Sequence, residues 1–419
     1  VYIESCYIET NCKIKGSDAT MPLWKRNLVV VWFGSFLTAA ALSLVLPFLP
    51  LFIEELGVDS RQDITTWSGI AFGATFLVAA IVSPIWGRLA DRKGRKLMLL
   101  RASLGMSIVM FLISFVQDVY QLVFLRLVMG AVSGFISAGI TMVASQTPKE
   151  KSGWALGTLS TGGIAGGLLG PLIGGFLADV VGLRPVFLFT SVPLFITFLV
   201  TYFFVKEEFV PLEVKKMASG KEIIQSLRHP ELILSLFLTT FLIQFAAQSI
   251  SPILSLYVRE LSPGTERLAL LSGIVASAPG IAALIAAQRL GRLSDKIGAE
   301  RVLFFALLVF AAFLIPQAFV TDTSQLIVLR MGIGFATAAL LPSVQTLLRK
   351  NTPAHASGRI FGYNQSAQFM GNFMGPLAGG QIAGHFGFEA LFLFTGLIVI
   401  TNAVLERSQT AVLKKNPNN

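Results

Sequence analysis

The chain is written in long apolar segments broken by short polar ones. It lacks the three-to-four or two-residue alternation of a half-buried helix or strand. A helix needs about 20 mostly apolar residues to cross a hydrocarbon core of ~30 Å. Twelve segments reach that length: 27–53, 67–89, 97–116, 120–144, 152–178, 183–205, 231–257, 268–290, 301–320, 324–348, 356–384 and 387–407. Lipid offers backbone amides no partner, so a spanning segment closes its own hydrogen bonds, as a helix or in a closed barrel. A barrel would need short alternating strands, whereas these runs are apolar all round. The pattern predicts an all-α membrane protein with twelve transmembrane helices.

The polar stretches repeat. GRLADRKG from Gly87 recurs in weaker form as GRLSDKIG from Gly291, and QLVFLR from Gln121 as QLIVLR from Gln325, both 204 positions on. Further along the offset becomes 205: GPLIGG from Gly170 matches GPLAGG from Gly375, and VFLFT from Val186 matches LFLFT from Leu391. Several matches in one order point to a duplication, hence to two pseudo-symmetric six-helix bundles with a substrate path between them near the midplane. The expected division is a tail over 1–20, a first bundle over 21–205, a cytoplasmic linker over 206–230, a second bundle over 231–407 and a cytoplasmic tail over 408–419. The first twenty residues lack the apolar core and basic front of a signal peptide. They are expected to be disordered, with Met21 a plausible native start.

Composition agrees with a membrane protein. Of 419 residues 54% are hydrophobic and only 13% charged, against about a quarter charged in a soluble chain. The net charge of +10 would suggest nucleic acid in a soluble domain, but topology accounts for it. With the Gly87 loop inside, 27 Lys and Arg fall on the inner side, four on the outer side and two, Arg126 and Arg330, within spans. That asymmetry predicts an inner-membrane protein with both termini cytoplasmic. Cys6 and Cys12, both in the tail, build no disulfide framework or zinc site. No G-x4-G-K-[ST] pattern occurs, which argues against ATP drive. With no metal or nucleophile constellation either, a transporter without cofactor is expected rather than an enzyme.

Three motifs lie inside this frame. In the Gly87 loop, glycines permit a tight turn between antiparallel spans, and Asp91 can cap a helix or pair with an arginine; a basic loop that only sets orientation is the plainer alternative. In GGLLGPLIGG, Gly166, Gly170 and Gly174 recur every fourth residue beside Gly175, so helices can approach closely. Pro171 tends to bend the span. Third, a charge within a span is costly and by default functional. Arg126 nevertheless lies only about six residues into its span, where its long stem could snorkel to the interface.

These motifs resemble the major facilitator superfamily, and within it the twelve-span drug:proton antiporter group, over about Pro22 to Leu405. The segments WKRNL, DRKGRKLMLL, KSGWALGTLSTGG, LRPVF, GRIF and YNQS look like a multidrug exporter of enterobacterial type. The resemblance implies a monomeric efflux transporter that exchanges small-molecule drugs for protons across membrane lipid. Fosfomycin and the bile acid deoxycholate are the implied substrates. It implies an inner-face latch built from Gly87, Asp91, Arg92, Gly94 and Arg95, and an antiporter motif built from Gly166, Gly170, Pro171, Gly174 and Gly175. It links Arg126 to proton coupling. An uptake carrier for a metabolite or sugar with the same fold is the alternative, and the span-five motif argues against it.

The residues also pose a difficulty for coupling. Every acidic residue falls in a loop, a tail or a span end by these boundaries. Asp179, at the outer end of span five, joins Arg126 and Arg330 as a coupling candidate; Glu54 or Glu55, at the end of span one, and Asp91, reached from the inner side, are further candidates for the proton carrier. Neutral polar residues mark the candidate cavity: Gln244 and Gln248 in span seven, and Asn364, Gln365 and Gln368 in span eleven. An unpaired amide facing lipid is costly, so these face protein or a cavity. Plain interhelical bonding is the competing reading. The tryptophans at 24, 67, 86 and 154 fit an aromatic belt.

Overall fold

A computed structural model describes residues 22–207, 227, 229–353 and 356–415, without the side chains of 91, 149, 288, 295 and 409–415. The tail over 1–20 and most of the 206–230 linker lie outside the described residues, as do 416–419. Among the described residues, eleven continuous helical stretches are long and apolar enough to cross a membrane. The last is two helices, because Gly387 has φ 85° and ψ 172° and breaks the hydrogen-bond ladder. Twelve helices result: α1 (Leu23–Glu55), α2 (Arg61–Lys93), α3 (Arg95–Ile113), α4 (Val119–Gln146), α5 (Ser152–Val181) and α6 (Leu183–Phe204). They continue with α7 (Pro230–Leu261), α8 (Leu268–Ile297), α9 (Ala299–Phe319), α10 (Thr323–Asn351), α11 (357–386) and α12 (388–415). Every predicted span falls on one of them.

The departures from straight helices come in symmetric pairs. α1 tightens to a 3-10 turn at Leu46–Phe48, and α7 does so at Ser251–Ile253. Pro47 and Pro252 remove one backbone donor at each site. Gly94 and Gly298 sit at φ 93° and 91° between α2 and α3 and between α8 and α9. Both take a left-handed conformation that costs a residue without a Cβ little. One break has no mate. α4 is interrupted at Ser133–Gly134, with Gly134 left-handed at φ 118°, whereas α10 is continuous from Thr323 to Asn351.

Packing repeats as well. α1 lies along α5, and a Cβ on Gly166, Gly170 or Gly174 would meet the backbone of Phe36, Ala40 or Leu44. α7 lies along α11, where Gly371, Gly375 and Gly379 meet the backbone of Phe241, Phe245 and Ser249 in the same way. α3 packs on α6, α2 on α4 and α8 on α10. Large apolar side chains on the perimeter stay exposed, including Phe176, Phe203 and Leu397, as a lipid-facing surface requires.

Candidate functional site

The two six-helix halves meet along α2–α11 and α5–α8, with the α1 and α7 kinks between them. Both joints run through glycine. Gly69 packs on Pro376 O and Gly380 on Thr65 O; in the second joint Gly273 packs on Pro171 O and Gly175 on Ala269 O. The joints lie at the end away from the Gly87 loop. There Glu54 pairs with Arg259 and Arg61 with Glu260, all four partly exposed. Gln62 Nε2 lies 2.8 Å from His385 Nε2, and Gln381 Nε2 donates to Thr66 Oγ1 at 3.3 Å. The Asp179 carboxylate accepts from Ala269 N at 3.1 Å and Leu270 N at 2.9 Å. The sequence-derived candidates Asp179 and Glu54 are thus half-to-half contacts at the closed end, while Glu55 bonds Arg184 within its own half at 2.9 Å.

At the basic end the same four helices stand apart. A methyl added at Gly87 on α2, Gly153 or Gly157 on α5, Gly291 on α8, or Gly358 or Gly362 on α11 would meet nothing within 4 Å. Here lie the residues expected to form the latch. Arg92 is exposed and Gly94 forms the turn. Arg95 is buried at the start of α3, where the Glu207 carboxylate accepts from Arg95 N at 2.9 Å and Lys96 N at 2.7 Å. The Asp91 side chain lies outside the described residues. The molecule is closed at one end and splayed at the other.

Between the ends, Arg126 on α4 and Arg330 on α10 are 3% and 7% exposed, so neither snorkels to the surface. Nε and Nη2 of Arg126 and Nε of Arg330 find no hydrogen-bond partner among the described residues. Gly130 and Gly334, one turn on from each arginine, press against Thr75 O on α2 and Pro279 O on α8. The amide candidates divide. Gln244 donates to Asn372 Oδ1 at 2.9 Å and Thr240 to Asn364 Oδ1 at 2.7 Å, tying α7 to α11. Gln248 Oε1 accepts from Ser251 in its own turn. Gln365 is exposed, and neither it nor Gln368 makes a hydrogen bond among the described residues. Interhelical bonding therefore accounts for Gln244 and Asn364, and Gln365 and Gln368 keep free amides.

Two features escaped the sequence reading. The first is the α4 break. Trp86 Nε1 donates to Ala131 O at 2.8 Å, and Arg101 Nη2 donates to Ser133 O at 2.7 Å while its guanidinium lies 3.7 Å from the Trp86 ring centre. Trp86 is more than a belt residue: with Arg101 it satisfies carbonyls that the break frees. The Gly130 to Gly134 stretch was the available signal, hidden by the apolar residues around it. The second is a buried carboxylate at the end of the last span. The α12 helix runs on past the apolar run, and Glu406 within it is 1% exposed. It accepts from Ser235 at 3.1 Å, beside a Thr239–Asn402 bond of 3.0 Å. The apolar count ended that span at 407, so Glu406 passed for a boundary charge.

Comparisons with known proteins agree with this architecture. The profile of the Major Facilitator Superfamily matches residues 31–287 and again 236–418; the two matches begin 205 positions apart, one of the two offsets that the repeat shows. Multidrug resistance protein MdtG of Dickeya zeae is 53% identical over 387 residues, covering 92% of this chain and 95% of the relative. The protein of that name from Salmonella schwarzengrund is 53% identical over 389 residues, covering 93% and 96%. Among solved structures, the nucleoside transporter NupG superposes with a TM-score of 0.76 at 12% identity, covering 92% of this chain and 99% of that one. A bacterial homolog of the human lysosomal transporter Spinster, in an inward-facing and occupied conformation, gives 0.77 at 14% identity, covering 95% and 99%.

Proposed function

The chain belongs to the major facilitator superfamily, and we propose that it is a multidrug exporter of the bacterial inner membrane that works by alternating access. The multidrug-resistance relatives, alike over nearly the whole chain, support the export of drugs. The observation that carries the mechanism is the pair of glycine joints that closes one end while the other stands open. The basic end faces the cytoplasm, on the 27 to four distribution of Lys and Arg, so the structure corresponds to the state that loads drug from inside. Residues 21–205 and 231–407 act as the two rocking bodies.

Protons moving inward drive the cycle. One elementary charge falling through 100 mV releases about 2.3 kcal/mol, which supports roughly fifty-fold accumulation per proton. Arg126 and Arg330 are the coupling residues: a buried cation with guanidinium nitrogens unpartnered among the described residues is costly, and its charge makes it responsive to an arriving anion or a titrating neighbour. A path with two such cations suits anionic substrates, in line with fosfomycin and deoxycholate. Gln365 and Gln368 supply free amides for contact. Gly87, Asp91, Arg92, Gly94 and Arg95 close the inner face in the opposite half of the cycle, when α2 and α11 approach at their basic ends. Gly166, Gly170, Pro171, Gly174 and Gly175 hold α5 against α1 and α8 and give the closed outer end that an exporter needs while it loads.

The direct test is direction. Inverted membrane vesicles energised with an inward-acid gradient are expected to accumulate labelled deoxycholate or fosfomycin, and a protonophore to abolish the accumulation. Uptake in right-side-out vesicles under the physiological gradient would instead assign an importer.

A further inference from the structure

α8 begins without a cap of its own. Its N-cap residue, Arg267, makes no side-chain bond to the helix, and its first turn holds no acid. Among the other helices that begin at this end, α4 and α10 are capped by Asp118 and Asp322 through Gln121 N and Ser324 N and α2 carries Asp63 in its first turn, whereas α6, behind Gly182, has neither a side-chain cap nor an acid. A helix N-terminus leaves amide donors unsatisfied and carries partial positive charge. For α8 the missing acceptor comes from the other half. Both oxygens of Asp179, at the end of α5, take the amides of Ala269 and Leu270. One turn below, Gly175 lets α5 press against Ala269 O, which brings the carboxylate within reach. The pseudo-symmetric position, 205 residues on, is Gly384, so the α2–α11 joint has no such cap.

We propose that Asp179 is the latch of the outer mouth, a capping residue supplied in trans whose bonds to α8 set how much of the protein rests with that mouth closed. The proposal rests on the alternating-access reading and gives it a positioning residue. When α5 and α8 part, the first turn of α8 exchanges a carboxylate for water, so the cap favours the closed mouth alone. The surface pairs Glu54–Arg259 and Arg61–Glu260 contribute less, because exposed ion pairs lose most of their attraction to solvent. The sign also separates Asp179 from the carrier of the driving proton. Its charged form holds the outer mouth shut, so a proton bound there favours opening. A loaded carrier must do the reverse, closing the outer mouth to deliver its proton inside.

The test uses the full chain with Cys6 and Cys12 replaced by serine and one reporter, Ser277→Cys. Ser277 is 2% exposed in the α5–α8 joint, donating to Leu168 O at 2.8 Å. In right-side-out vesicles without drug or pH gradient, a membrane-impermeant maleimide reaches it only through an open outer mouth. Asp179→Ala is expected to raise the labelling rate about tenfold, the scale of a lost N-cap. Asp179→Asn, whose amide oxygen still accepts, is expected to fall between Ala and the parent; it serves alone if the Ala variant does not reach the membrane. Glu54→Gln is expected to change the rate less than twofold. Equal rates for Asp179→Asn and the parent, or an effect of Glu54→Gln as large as that of the Asp179 variants, would overturn the assignment. The labelling is independent of what the protein carries, so failure of the export reading leaves it interpretable.

Discussion

Arg126 places a guanidinium among apolar helices with two of its nitrogens unpartnered among the described residues. A structural arginine would be paired, and this contrast is the ground for the coupling role proposed for it. Arg126→Ala is expected to cut drug flux by at least tenfold with the thermal midpoint unchanged or raised, since removal also lifts a desolvation cost; Arg126→Lys keeps the charge and is expected to retain part of the flux. Reconstituted flux and a melting curve on the same preparation check both. The amides split in the opposite sense. Gln244→Ala strands the buried Asn372 and is expected to cost about 1–3 kcal/mol of stability, read as a lower melting temperature. Gln365→Ala is expected to alter flux or substrate preference without moving the melt. Sequence made both arginines visible, because charge in an apolar run stands out. It left Gln244 and Gln365 indistinguishable, because helical phase gives a face and not the neighbour that fills it.

At the scale of elements, every span was legible, since twenty apolar residues in succession leave lipid little choice of structure. What stayed hidden were places where one polar group meets another across helices. Ser133–Gly134 reads as ordinary helix until Trp86 and Arg101 arrive to bond the freed carbonyls. Glu406 reads as a boundary charge until Ser235 and Thr239 surround it. The glycine motif read as close packing, and the structure divides that packing between two partners: Gly166, Gly170 and Gly174 serve α1, and Gly175 serves α8. The division makes a specific expectation. A methyl at Gly175 must displace α8 backbone, and overpacking of this kind costs about 1–3 kcal/mol, charged to the closed mouth only. Gly175→Ala, or Gly273→Ala from the other side of the joint, is therefore expected to expose the outer path without unfolding either half. Maleimide labelling at position 277 reads the exposure and circular dichroism reads the fold.

The whole molecule is governed by its pseudo-twofold. The 3-10 turns of α1 and α7 meet on it, and so do Glu54 and Arg259, which are each other's mates 205 positions apart. A position that touches its own copy would bring like charges together if the two halves were identical, whereas these two carry opposite signs. On the alternating-access reading proposed above, such a molecule has two closed arrangements of similar energy, one sealed by the joints seen here and one by the basic ends of the same helices. A modest free energy, of the size that one proton carries across a charged membrane, is enough to exchange them.

The most direct measurement of that claim is drug flux in proteoliposomes under an imposed pH gradient with the membrane potential clamped. The account predicts that drug moves against its own gradient, opposite to the proton flow, that it reverses when the pH gradient is reversed, and that it stops in Arg126→Ala. Flux that runs down its own gradient only and ignores the sign of the pH step would contradict it.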